Sequence, residues 1–452
     1  MKLRRIRLRN WKSFKDTAVE LNDGLNVLVG PNTSGKTNLL EAFKFLKKAL
    51  GDITSPYAPH LEWWSYRNIV YGNDETKPIA FELEFECPQN YRASYEVVFA
   101  SIEGTVKPIK ETVKLHGIAT ITREGDTFKV VKEKEFIEEH IYTIREYIIH
   151  RVKRHGVKIE DITRATETAI LEEIPMSMLP TSSSFEIIAP IVYRDLAVEN
   201  KIALTSIRTR ERVFTLNGHR TRPTRINLIS PYLEDKNDSL FRYVISNLRL
   251  FFGGISFIRH PDMGKVREPS IMAGFPATPS ERGETLNLLI ARMFLSGALP
   301  ERIENALKNL FPDFAIQTKP TADGRVFLSV KDKLNGAEIH PPSIPDGFYK
   351  LLHILTAVES KPSILCIDEL ENSLHSEVLE YVVHELKNSG VLCLVATHSP
   401  VVVDVAGLES LLLVERTPEG SVVKRVENLE QVRRWMKEKG LTPSEMWLYG
   451  LQ

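Results

Sequence analysis

The segment Gly30-Pro31-Asn32-Thr33-Ser34-Gly35-Lys36-Thr37 constrains this chain more than any other. It satisfies G-x-x-x-x-G-K-[ST] at every fixed position. An apolar run, Leu25 to Val29, precedes it, and Leu39, Leu40, Phe43, Leu46 and Leu50 recur at helical spacing after it. A strand that turns into a helix at such a motif aims main-chain N–H groups and the positive end of the helix at one point. Glycines let the backbone fold around phosphate oxygens without a Cβ in the way. The pattern predicts a phosphate-binding turn lined by Asn32, Thr33, Ser34 and Gly35. Lys36 would reach the β- and γ-phosphates, and Thr37 would coordinate Mg²⁺. A chance glycine turn would lack the flanking strand and helix.

Two later strands end in residues that complement such a turn. Ile364-Leu365-Cys366-Ile367 runs into Asp368 and Glu369. A carboxylate at the C-terminal edge of a strand beside the phosphate turn can orient Mg²⁺ and its waters, and the next acid can polarise an attacking water. Val391 to Ala396 is a second apolar strand, ending in Thr397-His398, where a histidine can sense a γ-phosphate. A strand ending in surface acids, or a histidine that merely caps a strand, is common. With a phosphate turn in the same chain, the functional reading is the stronger one. Some 332 residues separate Lys36 from Asp368, so a chain that serves one nucleotide with both must leave the sheet and return.

The intervening sequence reads as several pieces. Arg5 to Arg9 alternates apolar and basic residues, as a half-buried strand with an arginine face does. Short β-rich runs from Pro78 to Val131 predict an antiparallel sheet. From Lys132 to Ile174 the apolar positions step by three or four around Gly156, predicting a helical hairpin whose arms are roughly 30 Å long. Phe185 to Ile226 reads as β, with Asn217-Gly218 as a hairpin turn. Ser239 to Phe252 reads as a helix, Gly264 to Arg282 as a long loop and Glu284 to Leu310 as a helix. Unbroken apolar strands toward the C-terminus predict a parallel sheet covered on both faces. The expected division is 1–131, a lobe with the phosphate turn and β sheet; 132–180, the inserted hairpin; 181–265, more of the β-rich lobe; and 266–452, the C-terminal lobe.

Composition narrows the classes. The chain has 452 residues, 42% hydrophobic and 26% charged, which excludes bulk disorder. Lys+Arg and Asp+Glu both number 59, so any basic surface is local. Three cysteines with no CxxC pair argue against a disulfide framework and a cysteine zinc site. No apolar run approaches the ~18 residues of a membrane span. The basic N-terminal stretch lacks an apolar signal core. A cytoplasmic, reduced setting without membrane contact is the expectation.

Taken in order, these motifs resemble the ABC-type ATPases of the RecF, SMC and OLD group. Asn10-Trp11-Lys12-Ser13-Phe14 is similar to that group's N-F-[RK]-S-F start, and residues 30–37 to its Walker A. Asp368-Glu369-Leu370-Glu371-Asn372-Ser373-Leu374-His375 is similar to its Walker B and D-loop, and Thr397-His398-Ser399-Pro400 to its switch-histidine motif. The resemblance implies an α/β P-loop head with a mixed or parallel core sheet, an antiparallel β lobe and the inserted hairpin. It also implies ATP and Mg²⁺ as cofactors and a homodimer that sandwiches two nucleotides. Lys12 and Ser13 would contact nucleotide, with Lys36, Glu369 and His398 catalytic and Thr37 and Asp368 on the metal. The signature loop matches best at Ser343 to Lys350, where Asp346 and Gly347 would meet the partner's nucleotide. Pro345 stands where the family has a serine that hydrogen-bonds the γ-phosphate.

Fifty-two residues follow Pro400, too few for the Toprim nuclease of the OLD branch, so a nuclease would be a separate partner. Arg208, Arg210, Arg212, Arg220, Arg222 and Arg225 cluster within eighteen residues and could hold DNA or RNA phosphates, although a solvated charged surface fits equally. The leading expectation is a Mg²⁺-dependent ATPase acting on nucleic acid or a partner nuclease, in DNA repair or defence. The alternative is a nucleotide-gated regulatory subunit that hydrolyses little and binds no nucleic acid directly.

Overall fold

The computed structural model describes residues 1–51, 59–117, 119–124, 127–132, 173–175, 215–216, 219–220, 244, 247–274, 276 and 278–448. By compactness the chain divides into two units. One comprises Met1–Glu20 and Lys48–Gly253; the other comprises Leu21–Lys47 and Gly254–Gln452. Residues 21–47, with the phosphate turn, therefore group with the C-terminal part.

The first unit is built on an antiparallel sheet. Its strands are β1 (Lys2–Trp11), β2 (Phe14–Glu20), β4 (Ile79–Glu86), β5 (Arg92–Ile102), β6 (Thr105–Leu115), β7 (Ala119–Glu124), β8 (Thr127–Lys132) and β9 (Glu173–Pro175), in the order β2-β1-β4-β5-β6-β7-β8-β9. The run expected from Pro78 to Val131 forms as an antiparallel sheet. Leu3, Ile6, Leu8 and Trp11 of β1 are buried, and the arginines between them pair with acids on neighbouring strands. Arg4 meets Glu86 at 2.5 Å, Arg5 meets Glu84 at 2.5 Å and Arg7 meets Asp16 at 2.7 Å, while Arg9 pairs with Glu96. The Arg7 hydrogen bond holds the Asp16 carboxyl below its ordinary value. The arginine face is thus a cross-strand ion-pair ladder.

The second unit holds a six-stranded sheet of β12 (Ile255–Ile258), β17 (Ile364–Ile367), β18 (Cys393–Ala396), β3 (Leu25–Val29), β19 (Leu411–Thr417) and β20 (Gly420–Arg425), in that order. The first five run parallel and β20 is antiparallel. Every residue of β12, β17, β18 and β3 is buried, as strands covered on both faces require. Helices α1 (Lys36–Leu46), α2 (Met263–Arg267), α3 (Leu286–Leu295), α4 (Glu301–Leu310), α5 (Asp346–Glu359), α6 (Ser376–Asn388) and α7 (Pro400–Ala406) also belong to this unit. A smaller antiparallel sheet joins β13 (Ser270–Ile271), β14 (Phe314–Pro320), β15 (Arg325–Asp332) and β16 (Glu338–Ile339).

Three local expectations change. Glu284 to Leu310 is two helices, because Gly297 takes φ 110° and Pro300, which has no N–H, caps the second. The stretch from Gly264 to Arg282 contains most of α2 and also β13. The strand ending in Asp368 is not beside the phosphate-turn strand: β18 lies between them, pairing Val395 with Val27 on one side and with Ile367 on the other. Most of the inserted hairpin and nearly all of the arginine cluster lie outside the described residues; where the hairpin's end is described, Glu173–Pro175, it is a strand paired with β8 and not the end of a helix. Within that cluster Thr215–Leu216 (β10) pairs antiparallel with His219–Arg220 (β11), Leu216 opposite His219. Among the described residues no helix is long and apolar enough to cross a membrane.

Candidate functional site

At the end of β3 the chain bends tightly. Thr33 takes φ 67° and Gly35 φ 118°. Gly30 has no substitute, because a Cβ there would lie 2.2 Å from the Val414 carbonyl oxygen of β19. Ser421 on β20 donates through its hydroxyl to the Ser34 carbonyl at 2.5 Å, bracing the bend from the other side. Lys36 is 6% exposed and donates from Nζ to the carbonyls of Gly30, at 2.8 Å, and Pro31, at 3.0 Å. Burial lowers its pKa, and the field of Asp368, Glu371 and Glu369 opposes that shift. The ammonium is thus held on the bend's own oxygens, within the ring of atoms that would surround a phosphate.

Thr37 joins the two ends of the sequence. Its hydroxyl donates to Asp368 Oδ1 at 3.2 Å, across 331 positions of chain. Asp368 is 9% exposed, and burial raises its carboxyl pKa. Arg259, just past β12, counters this with Nε 3.9 Å from Oδ2. The same guanidinium meets Glu41 at 2.9 Å and Glu281 at 3.3 Å, and Lys44 meets Glu281 at 2.5 Å. A buried acid next to a threonine hydroxyl, at the mouth of an amide-lined turn, is a hard-oxygen set suited to Mg²⁺, which takes few protein ligands and fills the rest with phosphate and water.

The turn after Asp368 carries the other acids. Glu369 takes φ 51° and is exposed, with Asn372 donating to its Oε2 at 2.6 Å. Glu371 accepts from the Thr397 hydroxyl and from the His398 main-chain N–H, both at 2.7 Å. The His398 side chain is exposed at the end of β18. At the start of α5, Asp346 accepts from Arg267 at 2.6 Å, and the same guanidinium donates to the Ile344 carbonyl at 3.1 Å. Gly347 lies so close to the Asp368 turn that a Cβ would sit 2.5 Å from the Ser373 carbonyl.

A family model described as "AAA ATPase domain" matches residues 1–174, and one described as "AAA domain, putative AbiEii toxin, Type IV TA system" matches residues 235–404. The DNA replication and repair protein RecF of Acidothermus cellulolyticus is 36% identical over 86 residues, 19% of this chain and 23% of that protein. RecF of Lactococcus lactis subsp. cremoris is 33% identical over 86 residues, 19% of this chain and 24% of that protein. This chain therefore spans about a quarter of the length of those relatives. The SMC head bound to the C-winged helix domain of ScpA aligns with TM-score 0.48 and 11% identity, covering 96% of this chain and 100% of that one. This chain carries a RecF-like P-loop ATPase domain.

The structure brings some of the candidate residues named from the sequence together and leaves others apart. Lys36, Thr37 and Asp368 converge, Glu369 follows directly, and His398 ends the strand beside β3. Lys12 and Ser13 belong to the first unit, where the Lys12 N–H donates to the Ile69 carbonyl at 2.8 Å and Nζ sits 5.3 Å from the Trp63 ring centre. Arg259 and the role of Glu371 escaped the sequence. Arg259 follows β12, whose apolar run is broken by Ser256 and which no motif marks, so nothing in the sequence singled it out. Glu371 lay inside the D-loop motif without a partner, because Thr397 and His398 are far from it in sequence.

Proposed function

We propose that this protein is a Mg²⁺-dependent ABC-type ATPase whose nucleotide-driven self-association acts on nucleic acid or on a partner nuclease. The observation that carries the reading is the Thr37–Asp368 hydrogen bond. It joins the hydroxyl and the carboxylate that a nucleotide-bound Mg²⁺ requires, at the mouth of a turn whose lysine is already buried. Held by Thr37 and Asp368, Mg²⁺ would supply neutralisation of phosphate charge. Lys36 would exchange the Gly30 and Pro31 carbonyls for phosphate oxygens, and the amides of residues 32–35 would cradle the rest. Glu369, exposed and oriented by Asn372, would take the proton of the attacking water. His398, its backbone held by Glu371, would meet the γ-phosphate. Lys12 and Ser13 would contribute nucleotide contacts, as the resemblance implies.

ATP turnover with and without Mg²⁺ tests the chemistry, and gel filtration of Glu369→Gln with and without ATP tests association. Turnover in the native protein and an ATP-dependent shift in mass are expected; the absence of both would remove the reading. For the nucleic-acid part, turnover is compared with double-stranded DNA, single-stranded DNA and RNA over a range of salt. Stimulation that fades with salt is the expected sign of phosphate contacts.

A second reading is a nucleotide-gated regulatory subunit with little hydrolysis. It is favoured by the start of α5, where Pro345 offers no hydroxyl to a partner's nucleotide and Asp346 is engaged by Arg267 within the chain. Tight ATP binding with slow turnover, unchanged by DNA, would select it.

A further inference from the structure

Trp64, in the first unit, combines two unfavourable features. It is 86% exposed, more than any other large apolar side chain among the described residues. Its backbone takes φ 72° and ψ −45°, and the Ser65 N–H donates across it to the Trp63 carbonyl at 2.9 Å. That is a γ-turn of the rare, strained hand. Such strain persists only where the surroundings impose it, and it gathers where ligands are gripped.

The surroundings do impose it. The Trp63 carbonyl also accepts from Asn68 Nδ2 at 2.7 Å, and the Trp64 N–H donates to the Leu61 carbonyl at 3.0 Å. Trp63 is anchored to the core, its ring meeting that of the fully buried Trp11 edge-on at 6.0 Å. The Lys12 ammonium lies 5.8 Å from the Trp11 ring centre and 5.3 Å from that of Trp63. Arg67, three residues beyond Trp64, is exposed, while the acid of this segment, Glu62, is neutralised by Lys48. One indole of the pair is thus tied inward, and the other is held out into water on a basic turn.

A tryptophan that served packing would be covered by its own fold. A flat apolar face with cations around it matches a ring joined to a phosphate. Single-stranded nucleic acid presents both in series, its bases stacking on aromatic side chains while basic groups follow the backbone. In a duplex the base faces already cover one another.

We propose that Trp64 is a base-stacking residue of a single-stranded nucleic-acid site on the first unit, with Arg67 meeting a neighbouring phosphate. The γ-turn fixes the backbone under the indole before the strand arrives, so less freedom is lost on binding. The site deepens the nucleic-acid part of the reading above and requires neither ATP nor turnover.

The test measures affinity of the full chain, without ATP, for a labelled oligo-dT strand, an abasic strand of the same length and a duplex, by fluorescence anisotropy. The wild type is expected to bind oligo-dT about tenfold more tightly than the abasic strand. Trp64→Gly should lose about that factor for oligo-dT alone, with no fall in Tm, because glycine takes positive φ freely. Trp64→Asn, which also tolerates positive φ, is a second variant without the indole, and Trp64→Phe should keep oligo-dT affinity within about threefold. Equal wild-type affinity for the two single strands, or unchanged oligo-dT affinity in Trp64→Gly and Trp64→Asn, would overturn the site. A loss shared equally by all three ligands, with a lower Tm in both variants, would make the indole a structural prop and overturn it too. So would loss of self-association on gel filtration with oligo-dT affinity intact. An absence of ATP turnover would remove the ATPase reading and leave these strand affinities standing.

Discussion

Single side chains in the second unit separate contributions to stability from contributions to chemistry. The Thr37 hydroxyl makes one hydrogen bond, a contribution of about 1 kcal/mol to stability. If it also holds Mg²⁺, its loss should weaken catalysis far more than the fold. Thr37→Ala is therefore expected to lower stability by about 1 kcal/mol or less while turnover falls by roughly a hundredfold, read by denaturant unfolding alongside an ATPase assay. Comparable small losses in both would leave the hydroxyl a purely structural group. His353 gives a pH signature. It is fully buried, with Nε2 2.8 Å from the Ser280 carbonyl, and burial pushes its pKa down from 6.5 to about 4. The folded pKa lies below the unfolded one, so this stability is present above pH 6.5 and lost as pH falls through about 4. His353→Gln keeps a donor for Ser280 and cannot titrate. The wild-type Tm should fall relative to the variant across that window; parallel curves would refute the burial argument.

At the scale of elements, two glycines of the second unit mark where backbone meets backbone. A Cβ at Gly30 would meet Val414 at 2.2 Å, one at Gly347 would meet Ser373 at 2.5 Å, and Gly274 has nothing within 4 Å. Gly30→Ala and Gly347→Ala are each expected to lower stability by about 1–3 kcal/mol, with Gly274→Ala near neutral, as measured by chemical denaturation. Gly347→Ala should also disturb turnover, since it pushes α5 away from the turn that carries the acids. Elements beside a recognisable motif, or with a clear helical period, were legible in the sequence: β3, α1, β17, α6 and β18 form where they were expected. Those missed were short or interrupted. The apolar run of β12 is broken by Ser256, and β14 and β15 bury their residues without a clean alternation, so no period of two shows. The false single helix from Glu284 to Leu310 came from two amphipathic segments whose patterns run on across Gly297 and Pro300.

At the scale of the molecule, the chain enters the second unit at Leu21, leaves after Lys47 and returns at Gly254. Nucleotide binding would therefore stabilise a unit made from two separated stretches of sequence. At a Mg-ATP concentration a hundred times its dissociation constant, mass action adds about 2.7 kcal/mol, enough to raise Tm by several degrees. Lys36→Ala is expected to abolish that rise with little change in the ligand-free Tm, read by thermal shift. An equal rise in the variant would place the nucleotide elsewhere. The β1 arginines belong to this scale as well. The alternation in sequence placed Arg5, Arg7 and Arg9 on one face, and only the sheet showed that Glu84, Asp16 and Glu96 pair with them and that Arg4 pairs with Glu86.

What the sequence determined alone is the local chemistry: a glycine-bounded turn between an apolar strand and an amphipathic helix, and two apolar strands ending in Asp368-Glu369 and Thr397-His398. Such patterns are legible because strand and helix periods, and the conformational needs of glycine, act over a few residues. What the tertiary structure decided is which ends meet and in what order. The strand leading to His398 took the place beside β3, Arg259 came to Asp368 from β12, and Glu371 caught the backbone of His398. Those outcomes depend on parallel pairing between strands separated by tens to hundreds of residues, and no local preference encodes them.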